Sequence, residues 1–138
     1  MRDQGRIDLE QRRAFLDLSE RDAEALAELE VALRGEIGPL VGSLLEKLLA
    51  FPATRDLLCG GSAEGLRAAH AQYLTSLLQG AYGEDYAMER RRIGEIHQRL
   101  GGDPMWYLGS WAFYLARRIP LAIGKAGERG GDTARYVA

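Results

Sequence analysis

Ile93-Gly94-Glu95-Ile96-His97-Gln98-Arg99-Leu100-Gly101-Gly102-Asp103-Pro104-Met105-Trp106-Tyr107-Leu108-Gly109 is the stretch whose reading decides the fold. Its first eight residues place Ile93, Ile96, His97 and Leu100 on one helical face and turn Glu95, Gln98 and Arg99 toward water. Gly101-Gly102 stops that helix. Asp103 can then cap a new one by accepting from its first free N–H groups, with Pro104 at the first helical position, where a missing N–H costs nothing. Helix, stop, cap and helix leave no room for a strand, and they put an imidazole on an apolar face.

Working outward, the helix bearing His97 extends back to Tyr86, which joins the inward stripe, while Arg90 and Arg91 are expected to face water. The preceding segment, Ala63 to Gln79, carries Leu66, His70, Tyr73, Leu74 and Leu77 on its own inward face. Gly80-Ala81-Tyr82-Gly83 lets the chain reverse between the two. His70 and His97 are the chain's two histidines, and the hairpin aims both at one shared cavity. A lone histidine on an apolar helix face is more commonly a core residue satisfied by one hydrogen bond. Two that converge point to a ligand role. Without thiolate or carboxylate company they make a poor zinc or calcium site, whereas axial imidazoles are an ordinary environment for haem iron.

Length suggests one domain over residues 1–138, and 46% hydrophobic residues suffice for a core without any apolar run that could span a bilayer. Met1-Arg2-Asp3-Gln4-Gly5 lacks the apolar region of a secretory signal, and Cys59 is the single cysteine, so a reducing cytoplasm is expected. A net charge of −2 gives no general attraction to nucleic acid or to an anionic membrane. Arg90-Arg91-Arg92 spreads over more than half of a helix circumference and reads first as a solvated face. A second reading pairs one of the three with an anionic group, such as a haem propionate, at the pocket mouth. Ser62, Ser76 and Ser110 lack His/Asp company and no glycine-rich phosphate loop is present, so no catalytic constellation is expected.

Elsewhere Leu, Ala, Glu and Arg dominate and β-branched residues never alternate with polar ones, so the whole chain is predicted to be helical. Helices are expected from about Asp8 to Leu16, and from a capping box at Ser19 and Asp22 through Leu33. A third carries Pro39 in its first turn, holds Leu40, Leu44, Leu45, Leu48 and Leu49 inward, and ends at Phe51-Pro52. A short one follows over Ala53 to Leu58, and Ser62 caps the helix bearing His70. The helix from Pro104 bears Trp106, Tyr107, Trp111, Phe113 and Tyr114, and Pro120 is expected to kink or end it. Asp132-Thr133 reads as another N-cap, so a last helix is expected to be cut short and the chain to be the N-terminal part of a longer polypeptide.

The stretch from Ile93 to Gly109 closely resembles the proximal-histidine signature of globin-coupled sensors and their protoglobin relatives. The resemblance runs upstream through Tyr86 and Arg90 to Leu48-Leu49-Ala50-Phe51-Pro52 and covers roughly residues 10 to 138. It implies an all-α globin fold with an extra N-terminal helix, and His97 as proximal ligand of a b-type haem. That haem would be held noncovalently, since no Cys-x-x-Cys-His is present. Tyr107 matches a tyrosine near that histidine, with simple packing as the alternative. The family's oxygen binders commonly carry a Phe-Tyr pair where this chain has Leu44-Leu45, so the usual distal hydroxyl is missing. An apolar distal wall of Leu44, Leu45, Leu48 and Leu66 is expected, with Tyr73, Leu74, Ile93 and Tyr107 completing the pocket. His70 then either donates to bound ligand or coordinates iron directly; coordination is favoured, because a neutral imidazole among leucines has few other partners.

By this resemblance the chain is a haem-based gas or redox sensor for O2, CO or NO that signals to an output module. It is expected to form a homodimer through its C-terminal helices, where Trp111, Phe113, Tyr114 and Leu115 offer more apolar surface than one face can bury. Other readings are an electron-transfer or NO- or peroxide-reactive haem protein, a five-coordinate oxygen-binding globin, and a haem-free helical interaction module.

Overall fold

The computed structural model describes residues 8–128. Seven α-helices and one 3-10 turn follow in order: α1 Leu9–Phe15, α2 Glu20–Leu33, the turn Arg34–Glu36, α3 Ile37–Ala50, α4 Pro52–Leu58, α5 Ala63–Leu78, α6 Glu84–Leu100 and α7 Pro104–Glu128. No strand occurs among the described residues. The expected last helix after Asp132 lies outside them.

Capping chemistry sets most boundaries. Ser19 Oγ accepts from the Asp22 N–H at 3.3 Å, and the Asp22 carboxylate accepts from the Ser19 N–H at 2.8 Å, which closes the capping box that opens α2. Ser62 Oγ accepts from the Gly65 N–H to open α5, and Asp103 Oδ1 accepts from the Met105 N–H to open α7. Gly101 ends α6 at a φ of 68°, in the left-handed region where a side chain is strained. Gly80 sits at φ 76°, and a Cβ there would lie 2.8 Å from the Ala23 carbonyl oxygen, so glycine lets the end of α5 approach α2. Pro120 neither ends nor divides α7. Ala116 and Pro120 are both exposed, so water can reach the carbonyl whose helical donor the proline removes.

The core lies between α3, α5 and α7. Ile37, Leu40, Val41, Leu44 and Leu45 pack with Leu74, Phe113 and Tyr114 in one buried cluster. A second cluster joins α2, α5 and α7 through Leu29, Leu33, Leu78 and Ala122. Each fully buried leucine contributes about 2 kcal/mol of transfer free energy. None of the described helices is long and apolar enough to cross a membrane.

Candidate functional site

Unlike the other long helices, α6 has no fully buried residue. Ile96 is 40% and Leu100 45% exposed, and His97 is exposed beside them. The apolar stripe read from the sequence is therefore present but is not packed into the protein core. The reason is geometric: α6 stands off from the core and reaches it through a few long side chains. The His97 Nδ1–H donates to the Ile93 carbonyl one turn earlier at 2.8 Å. That bond fixes the tautomer of the neutral ring and leaves the lone pair on Nε2, as a metal-ligating histidine requires. Tyr107 from α7 sets its ring edge-on to His97 at 5.1 Å, so the pair expected from sequence is in contact. The Tyr107 hydroxyl shares a hydrogen bond of 3.3 Å with that of Tyr73 on α5.

His70 is half-buried on α5, and its Nδ1 shares a hydrogen bond of 3.2 Å with the Tyr114 hydroxyl. Burial first, then the nearby charge of His97, push its pKa below the ordinary histidine value. A neutral imidazole results at neutral pH. The sequence argument for ligation rested on His70 having few partners. Tyr114, 44 residues further along, supplies one. Its own pKa is pushed up by burial to about 12, so its hydroxyl stays protonated. Sequence reading had placed Tyr114 only among the aromatics of the last helix, because no local spacing links it to His70.

Leu44, Leu45 and Leu74, expected in the pocket wall, lie inside the core cluster, and Leu48, Leu66 and Tyr73 pack on its rim. Ile93 is half-buried. Arg90 departs most from expectation. Rather than facing water, its guanidinium lies over the rings of Tyr73 at 4.2 Å and Tyr86 at 4.6 Å, and it donates to Ser76 Oγ. Arg90 stands four residues after Tyr86 and seven before His97, which puts it on the His97 face, and the two aromatic faces replace part of its lost hydration. Glu89 pairs with it at 3.7 Å. Yet Arg90 Nε and Nη1 are shielded from water and have no hydrogen-bond partner. Arg91 pairs with Glu95 on the outer side.

A His97 Nε2 with a free lone pair, a partly exposed apolar face and a shielded guanidinium short of acceptors, all on one helix, fit a flat apolar macrocycle that carries a metal at its centre and carboxylates at its edge. A bare ion is served less well, since no group of three His, Cys, Asp or Glu converges among the described residues. A protoglobin family model matches residues 7–138.

The chain belongs to the protoglobin family. Its helical architecture is that of a protoglobin-type globin fold. A curated relative, the heme-based aerotactic transducer HemAT of Halobacterium salinarum, is 31% identical over 129 residues, which cover 91% of this chain and 26% of the transducer. The chain thus spans about a quarter of that relative's length. A cavity of about 10 Å³ in the protoglobin core, lined by Leu33, Leu40, Leu74 and Arg118 among others, has room for about one water. Neither histidine lines it.

Proposed function

We propose that this chain is the haem-based gas-sensing domain of a longer signalling protein. In this reading His97 is the proximal ligand of a noncovalent b-type haem, and His70 is the distal ligand that O2, CO or NO displaces. The observation that carries it is the His97 ring, fixed through Nδ1 with Nε2 unengaged, on an apolar face whose Ile96 and Leu100 stay exposed. Family membership and the haem-based sensing named for the Halobacterium salinarum relative support it. Bound haem would supply an iron centre able to take either a protein imidazole or a diatomic gas.

The chain's own residues hold and restrain. His97 is oriented by Ile93 and flanked by Tyr107. Arg90 Nε and Nη1 would meet a propionate, which turns the cost of two unpaired shielded donors into charge-assisted bonds. Leu48 and Leu66 on the rim keep the distal side apolar. Release of His70 alters the Tyr114 contact and so couples α5 to α7, a physical route from ligand binding to an attached output module.

Titrating cofactor-free protein with haem is expected to give a Soret band that saturates at one haem per chain and shifts on adding CO to the ferrous form. An unshifted free-haem spectrum at every ratio would leave a helical interaction module and no sensor.

We also propose a homodimer in the cytoplasm, formed through α7. The surface for it differs from the one expected. Phe113 and Tyr114 are buried in the core, whereas Leu108, Leu115, Ile119 and Ile123 form an exposed stripe at helical spacing. A strictly monomeric mass by sedimentation at high micromolar concentration would rule the dimer out. Leu115→Glu is expected to shift a dimer toward monomer.

A further inference from the structure

Tyr114 is 3% exposed, with its ring among Leu44, Leu45 and Leu74 and its hydroxyl at His70 Nδ1. We propose that Tyr114 is the positioning residue that presents His70 Nε2 to the haem site. The proposal rests on the function set out above, with His70 as distal ligand.

Imidazole carries its two nitrogens on opposite sides of the ring, so fixing one directs the other. His97 is fixed at Nδ1 by a backbone carbonyl of its own helix. His70 is fixed at the same ring atom, but by a side chain from a different helix. When Nε2 serves as a ligand, Nδ1 carries the hydrogen and the Tyr114 hydroxyl oxygen accepts it, the outer hydrogen bond that a ligating histidine needs. Tyr114 itself has little freedom, since the core holds its ring and Phe113 lies edge-on to it at 6.2 Å. A rigid anchor on α7 therefore sets the angle of a ligand on α5. It also brings a hydroxyl into the cluster that contains Leu45, to which α3 contributes aliphatic side chains alone.

Tyr114→Phe keeps the ring and removes only the anchor. With haem-loaded protein, the wild type is expected to be low-spin by electron paramagnetic resonance, and the variant to gain a high-spin fraction. Ferrous CO binding, limited in the wild type by loss of His70, should speed up roughly tenfold, the lower end of what losing a ligand's outer partner costs. Haem content and helical circular dichroism should be unchanged, and Phe113→Leu, a packing change beside Tyr114 that keeps the hydroxyl, should leave the spin state as it was. A wild type that is low-spin through His70, with a Tyr114→Phe spectrum and CO rate identical to it, overturns the positioning role and leaves the bis-histidyl reading standing. A wild type that is high-spin and indifferent to His70→Leu overturns both. A high-spin fraction equal in Tyr114→Phe and Phe113→Leu would assign the effect to packing and also refute the proposal.

Discussion

His97→Ala is expected to strip the protein of its haem. In the proposed function the ring is the metal ligand on α6, and its tautomer is already fixed by the Ile93 carbonyl. Losing a ligand's outer hydrogen-bond partner typically weakens a metal site about 10–100-fold, and losing the ligand itself should cost more. The variant should purify with a Soret band far below stoichiometric, and free imidazole added during reconstitution should restore part of it. Because His97 is exposed, the substitution opens no core cavity, and the thermal midpoint of cofactor-free protein should move by less than about 2 °C. Full haem content with an unchanged spectrum would sink the assignment.

The second large effect is expected at the other imidazole. His70→Leu should keep haem, since the proximal side is untouched, but convert low-spin six-coordinate iron to a five-coordinate or water-ligated high-spin form. CO association with the ferrous protein should then lose its dependence on imidazole dissociation and rise by at least roughly tenfold, equivalent to about 1.4 kcal/mol in the barrier. Tyr114 would be left with an unpaired hydroxyl in the core, a cost of about 1–3 kcal/mol that should lower the thermal midpoint of the variant. Wild-type haem that is high-spin in both oxidation states, or a variant that keeps the low-spin spectrum, would show that His70 is only a pocket residue.

Much of the fold was legible because its signals are local. The Ser19 capping box, the Ser62 and Asp103 caps and Gly101 each act within a turn or two of chain, and the structure carries each of them; the α3 stripe is buried at Leu40, Leu44 and Leu45, whereas Leu49, expected inward, is exposed. Pro120 does not end α7, and that was not legible for the opposite reason: whether a proline ends a helix depends on what solvates the carbonyl four residues back, which no local pattern reports. The same division runs through the site. His97 and Tyr107 could be paired through the family resemblance, and the structure sets the two rings 5.1 Å apart. Arg90 was assigned to water by its charge, although its position relative to Tyr86 and His97 already put it on the inner face. The decisive information was the two aromatic rings that accept it. Tyr114 could not be matched to His70 at all, since that contact exists only once α5 and α7 are packed together.

The stand-off of α6 changes how cofactor acquisition should be understood. A helix with no fully buried residue draws little stability from tertiary packing, and 17 residues are close to the length at which an isolated helix is marginal in water. Its amides should exchange with solvent near the fast end of the molecule's range, while those of α3 and α5 exchange only on global opening. Haem binding then acts as the final local folding event, and the free energy of binding becomes protection concentrated in α6 and its Gly101 stop. Haem uptake should accordingly be a two-phase process, a rapid encounter followed by slower ordering of α6, and haem loss should be limited by the opening of this one helix.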